Sequence, residues 1–403
     1  GVMGVLISAK IFLVLKSIFV DLLFQKRIFD KSYLRWVAHT LIFVGFVLLF
    51  FMHALESTVS EALFANYQST LNPFLFLRNL FGVMVLVGVA IAVYRRISLK
   101  SHRLKTGPSD WAALVFVGVI IFSGMLLEGA KISSYTTYQN MVEEYASLDE
   151  EEAEALEAFW VQENGLVSPN ASKPFDAELI ARGIEVNGDS CIDCHASNRS
   201  AFASFAAAKI TRPFSAILGD SVAVTMFWYL HILACLSFLA WLPFSKMFHI
   251  LAAPVSLIIK RVTGDQQNEP ANILNSQMIG LSACTHCGTC SLECSASMFY
   301  ETFQNDFILP SEKVQYLKKF AANKEHDPAI IKRMQEGLYV CTSCDRCTNV
   351  CPSGINLKEL FISSRYSLLT AGTPETTMLS HFSFPLALAQ NFVDDHLKAL
   401  KKV

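Results

Sequence analysis

The sequence predicts a mainly α protein: a transmembrane helical bundle of four certain spans plus an N-terminal interfacial or spanning helix, followed by a separate polar helical domain. Three observations carry this. Hydrophobic residues make up 52% of the chain and charged residues only 17%, well below the share usual in soluble domains. Four apolar runs approach or exceed the ~20 residues that a bilayer demands. After Pro254 the composition turns polar, and two tight cysteine groups appear. The net charge of −2 argues against a nucleic-acid binder.

The first element, Val5–Phe24, is apolar but carries Lys10, Lys16 and Asp21 on one side of a helical wheel. It lies in the interface as an amphipathic helix or spans as an extra one. No small-residue cleavage site follows it, so it is not read as a cleaved signal peptide. The spans are Ala38–Leu55, Phe74–Tyr94, Trp111–Leu127 and Val222–Phe244. Basic residues fall in three places: Lys26 to Arg35, Arg95 to Lys105, and Lys246 to Arg261. The positive-inside rule makes these cytoplasmic and puts the other loops outside. Domains are therefore expected at 1–132 (first membrane part), 133–221 (outer loop), 222–261 (second membrane part) and 262–403 (cytoplasmic). The tail from Gly372 carries no signal. Within the outer loop, the acidic stretch Glu143–Trp160 reads as helical. It is a solvated face or a docking surface for a basic partner such as a periplasmic cytochrome.

Ionisable groups inside a bilayer are costly and usually functional. His39 and His53 share the first span; fourteen residues at ~100° each return to within about 40° of one face. His231 and His249 bracket the fourth, a whole number of turns apart if the helix is straight, with Pro243 placed to kink it. The two spans run antiparallel, so His53 should meet His231 outside and His39 should meet His249 inside. Neutral imidazole suits axial ligation of iron, and this arrangement predicts two bis-histidine b haems. A lone membrane histidine would more often be satisfied by neighbouring hydroxyls; two matched pairs outweigh that reading.

"RWVAHTLIFVGF" (Arg35–Phe46) and "HILACLSFLAWLPFSKMFHILAAPVS" (His231–Ser256) resemble the cytochrome b subunit of respiratory nitrate reductase and its relatives in heterodisulfide reductase and sulfite-reduction membrane complexes. The resemblance implies two b haems and exchange with quinones, menaquinone in particular. His231 and His249 match the second histidine pair of that family; His39 and His53 are spaced more widely than its first. A quinone site is implied, for which Arg78 and Glu128, at the outer ends of neighbouring spans, are candidates. Interfacial snorkelling is the plainer role for Arg78.

The loop holds Cys191, Cys194 and His195 as C-x-x-C-H, the attachment signature of a c-type haem. The thiols would form thioethers and His195 an axial bond. Haem attachment occurs outside the bacterial cytoplasm, and loop charge puts this segment outside independently of the motif. A redox pair or a disulfide is the other reading. The loop departs from the nitrate reductase pattern. Met141, its one methionine, is a candidate for the opposite ligand, as is a group from another protein chain.

Cys284, Cys287, Cys290 and Cys294 form one C-x2-C-x2-C-x3-C run, and Cys341, Cys344, Cys347 and Cys351 form another. This is the ferredoxin spacing for a [4Fe–4S] cluster. Zinc knuckles do not need the third cysteine, and a disulfide framework fits the spacing poorly. In two-cluster ferredoxins the fourth cysteine serves the other cluster. Cys284, Cys287, Cys290 and Cys351 should therefore hold one cluster, and Cys341, Cys344, Cys347 and Cys294 the other. The insert Ser295–Val340 reads as helical. The domain thus resembles the α-helical ferredoxin of the C-type component of heterodisulfide reductase and of the iron–sulfur component of succinate dehydrogenase, although Ser295 stands where proline usually follows. His286 is expected to donate a hydrogen bond beside a cluster. Cys235, outside these groups, reads as a small core hydrophobe.

The expected function is a respiratory electron-transfer subunit of a bacterial or archaeal cytoplasmic membrane. It would join a menaquinone pool or haem c, two b haems and two cytoplasmic [4Fe–4S] clusters to a catalytic partner, perhaps of the heterodisulfide reductase D type. The C-C-G signature of that catalytic partner is missing here, and no nucleophile or nucleotide loop is visible. The alternative is a quinone-independent wire between a periplasmic cytochrome or hydrogenase and a cytoplasmic reductase. A redox sensor is disfavoured, since no output domain follows the clusters.

Overall fold

The computed structural model describes residues 10–64, 67–98, 106–264, 269–322 and 327–370, all helical or irregular, with no strand among the described residues. The chain forms two compact units, one of residues 34–98 and 108–241, the other of residues 1–33, 99–107 and 242–403.

The first unit contains four helices long and apolar enough to cross a membrane: Tyr33–His53, Phe74–Ser98, Pro108–Ser133 and the helical stretch from Asp220 to Phe244. These are the four predicted spans. The second ends on Arg95 and Arg96, and the third opens with Pro108 and Asp110, the charges that helix dipoles favour at those ends. Arg96 and Asp110 also pair at 3.6 Å. Glycine sets the closest helix crossings. A Cβ on Gly45 would lie 2.7 Å from the Phe81 carbonyl oxygen, and one on Gly88 2.8 Å from that of Ala38, so the first two spans touch backbone to backbone.

The segment between the third and fourth spans is largely helical: Tyr135–Tyr145, Glu150–Phe159, Ala177–Ser190 and Phe202–Leu218. The acidic stretch predicted as helical over Glu143–Trp160 is broken at residues 146–149: it holds the end of Tyr135–Tyr145 and then Glu150–Phe159, opened by a capping box in which Asp149 and Glu152 satisfy each other's backbone N–H. Its Leu156 is fully buried against Tyr138, Trp160 and Val186.

In the second unit, the N-terminal element is described from Ile11 to Leu23, an α turn running into a π-helical one, and is not among the four candidate spans. Residues 1–9 of the predicted helix lie outside the described residues, as do Lys100, Arg103, Lys105 and the tail from residue 371. Asp21 is buried and ion-paired with Arg261 at 2.5 Å, with Arg27 at 3.7 Å. Pro243 does more than kink: the fourth spanning helix stops at Trp241, two 3-10 turns follow, and a new helix starts at His249. The remaining helices are Pro270–Ala283, Pro310–Ala321, Pro328–Val340 and Leu357–Thr370, three of them opening on proline at the first turn. Leu281, Val314, Leu338, Leu357 and Phe361 form their core, and Cys347 and Cys351 belong to it.

Candidate redox sites

The C-terminal end of the first span and the middle of the fourth bring His53 and His231 together, their ring centres 6.3 Å apart. Imidazoles on opposite sides of one metal, bound by bonds of ~2 Å, have ring centres ~6 Å apart. Ser123 on the third span fixes the orientation of His231. Its hydroxyl donates to the Ile120 carbonyl at 3.0 Å and therefore accepts from His231 Nδ1–H at 3.1 Å. The lone pair is then left on Nε2. Gly124 keeps the space beside the ring, since a Cβ there would come within 3.2 Å of Cε1. In the second unit His249 is oriented by its own backbone neighbourhood: Nδ1 donates to the Lys246 carbonyl at 2.8 Å. His39 sits on the first span, half-buried.

Arg78 and Glu128, two separate candidates in the sequence, are ion-paired at 3.7 Å. Asn79 Nδ2 donates to Glu128 at 3.0 Å, and Asn79 Oδ1 accepts from the Ser204 backbone N–H at 2.9 Å. Arg78 also donates to the Ser69 carbonyl. Asn79 and Ser123 escaped the sequence reading; the signal for both was a polar residue inside an apolar span.

Cys194 and His195 turn back onto the Cys191 carbonyl, their N–H groups 3.1 and 2.8 Å from it. The segment is clasped from both sides. Ala196 N–H donates to the Thr70 carbonyl at 3.0 Å, and Asn198 N–H to the buried Asn164 side chain at 3.2 Å. Cys191 is buried among Tyr138, Leu156 and Trp160, with Met141 packed on the same cluster. Trp160 meets the His195 ring edge-on at 6.3 Å and is held by Asn187. Burial holds His195 below the usual histidine range, favouring the neutral imidazole. Tyr138, Met141 and Tyr145 are spaced i, i+3, i+7, one face of their helix. Burial, Glu157 and then the Cys191 thiol raise the Tyr138 phenol; Glu144 and more weakly Cys194 raise that of Tyr145. Met141 packs on the cluster that holds Cys191.

The two ferredoxin-like runs fold alike. Left-handed backbone occurs at His286 and Gly288 in one and at the equivalent Ser343 and Asp345 in the other. Three of these four residues are not glycine, a strain kept where a backbone must curl its N–H groups around an anionic group. The fourth cysteines cross over. Burial, then the Cys287 thiol, pushes Cys351 up to about 12, with Cys284 contributing. Burial is also the main cause at Cys294, where the thiols felt are Cys341 and Cys344. One pocket is lined by all four of Cys294, Cys341, Cys344 and Cys347. Among the described residues no three His, Cys, Asp or Glu are gathered tightly enough to hold a single metal ion. The donor set, the shared loop backbone and the pocket fit iron–sulfur clusters. His286 Nε2 is hydrogen-bonded to Glu312 at 2.7 Å, a flanking role and not that of a ligand.

Comparison with known proteins agrees. Residues 15–152 match the HdrE family, described as the E-type component of dihydromethanophenazine:CoB–CoM heterodisulfide reductase, and residues 280–355 match the 4Fe–4S dicluster domain. The HdrE protein of Methanosarcina thermophila is 33% identical over 124 residues, 29% of this chain and 47% of its own. A probable iron–sulfur-binding oxidoreductase of Bacillus subtilis is 23% identical over 417 residues, 89% of this chain and 50% of its own. The EtfAB:quinone oxidoreductase of Syntrophomonas wolfei is 20% identical over 393 residues, 86% of this chain and 47% of its own. The chain thus spans about half the length of these relatives. No solved structure matches. The chain joins a membrane domain homologous to HdrE of heterodisulfide reductase to a 4Fe–4S dicluster domain.

Proposed function

We propose that this chain carries electrons between a menaquinone pool, an outer haem c and two b haems on one side, and two [4Fe–4S] clusters serving a catalytic partner on the other. The observation that carries the haem reading is the facing pair His53 and His231, with Nδ1 of His231 engaged by Ser123 and only the weakly bonding Cys235 thiol, 3.8 Å away, at Nε2. The sequence spacing makes His39 and His249 the candidates for the inner haem. Bound haem and iron–sulfur groups supply one-electron transfer; the protein holds, orients and tunes them.

Each side chain has a definite task in this reading. Cys191 and Cys194 anchor the outer haem covalently, His195 ligates it, and Met141 is the opposite ligand offered by the chain itself. The ligand sets of the clusters are Cys284, Cys287, Cys290 with Cys351, and Cys341, Cys344, Cys347 with Cys294. The Arg78–Glu128–Asn79 group offers a quinol a charged acceptor for its proton at the outer ends of the spans. The printed name of the Syntrophomonas wolfei relative, a quinone oxidoreductase, supports that choice of carrier. The HdrE match supports a catalytic partner of the reductase D type. Loop charge supports a periplasmic haem c loop and a cytoplasmic cluster domain.

The test is to add a menaquinol analogue to the purified, oxidised protein and follow the b-haem bands. Reduction that E128Q slows at least tenfold is expected. Bands that never reduce, with no quinone co-purifying, would leave the quinone-independent wire; a preparation without haem b would remove the haem reading altogether.

A further inference from the structure

Lys313 is the largest fully buried side chain of the described residues, at 1% exposure. Lysine is almost never buried so deeply unless its charge is paired. Here, among the described residues, no carboxylate lies within ion-pair distance. Its Nζ donates to the Gly337 carbonyl at 3.0 Å and stands 4.9 Å from the centre of the Phe361 ring. Gly337 is one turn before Cys341 on the same helix. One turn before Lys313, Pro310 lines the pocket of Cys294, Cys341, Cys344 and Cys347. Burial lowers the Lys313 ammonium, and the Cys341 and Cys294 thiolates act against that. A buried cation whose anionic neighbours are thiols makes sense only when those thiols are ionised, as they are when they bind metal.

We propose that the Lys313 ammonium, alongside the Arg365 guanidinium that donates to the Cys341 carbonyl, is an internal counter-ion of the cluster held by Cys294, Cys341, Cys344 and Cys347 and raises its reduction potential. This rests on that ligand set. Four thiolates leave the oxidised cluster anionic, and one-electron reduction adds a further negative charge with no bond made or broken. A fixed cation in a low-dielectric interior stabilises the reduced form more than the oxidised one. The half-buried Lys318 donates to the Cys284 carbonyl at 2.7 Å, so the other cluster has its own, more solvated cation. Lys313 is a positioning residue: it touches no reacting atom and acts through the cluster.

The test is an EPR-monitored redox titration of the purified full chain and of K313M, K313Q and K313R, with iron content measured for each. C347A identifies which midpoint belongs to this cluster. The expected result is that K313M and K313Q keep their iron but shift that one midpoint to more negative potential, the other staying in place, while K313R restores it. Retention of iron with neither midpoint moved overturns the proposal. If K313M and K313Q lose this cluster and K313R keeps it, the charge is needed for loading and the proposal stands; if all three lose it, Lys313 is a packing element and the proposal fails. Should C347A remove neither cluster signal, the ligand set itself is wrong, a failure distinct from that of Lys313.

Discussion

Both units are helical, yet different forces hold them. In the unit of residues 34–98 and 108–241 the four long helices leave most of their surface outside any protein core, from 11% to 39% of each apolar window being buried. Their mutual fit comes from small residues, Gly45 and Gly88 above all, that let backbones touch. The cysteine-rich unit is built from shorter helices around a conventional apolar core, into which Cys347 and Cys351 are folded. Its thiols are structural material, whereas in the other unit the closest helix approaches are made at Gly45 and Gly88 and not at His53 or His231. The lesson is that metal removal and ligand loss should have opposite structural consequences in the two halves.

Five experiments press on that difference, in descending order of effect. Chelating the iron should unravel the cysteine-rich unit and spare the spans. Limited proteolysis would then cut within residues 284–351 and leave the four spans intact; uniform cutting would erase the distinction. Next, C351A and C290A should lose the same cluster, and C294A should lose the one that C341A loses, read by EPR and iron content. If C294A instead matched C290A, the crossed pairing would be wrong. H231A should remove one b haem per chain without changing helicity, checked by haem spectra and circular dichroism; loss of both haems and of helix would show that the histidine also holds the bundle. G45V should destabilise the first two spans by about 1–3 kcal/mol, because the methyls have nowhere to go. Thermal melts in detergent would register this, and no change would show the crossing to be slack. The smallest effect is expected from S123A, which frees the His231 tautomer and should weaken retention of the outer b haem by roughly tenfold. Haem dissociation into apomyoglobin measures it, and S123T should restore the value.

Much of the molecule was legible in advance, and the reason differs by element. The four spans were readable because their signal is length and hydropathy, properties of contiguous residues. The helix within the acidic stretch was readable from Asp149 and Glu152, a cap three residues wide. The break after Trp241 was foreshadowed by Pro243, though its extent, two 3-10 turns, was not. The Arg78–Glu128 pair and its link to Asn79 were not legible as a unit, because 49 or more residues separate the partners. Ser123 and Gly124 carry no periodicity that marks them as neighbours of a histidine more than a hundred residues on.

The sequence alone therefore determined what each segment is: which stretches suit a membrane, which cysteines share a metal spacing, and which loop carries the C-x-x-C-H pattern. These follow from local chemistry, since hydropathy, helix period and ligand spacing act over a few turns of chain. Only the tertiary structure decided which groups face each other. It placed His53 opposite His231, tied Arg78 to Glu128, and buried Lys313 beside thiols of both cysteine runs. Such encounters depend on how distant helices pack, and a lysine at position 313 reads as an ordinary surface residue until its surroundings are assembled.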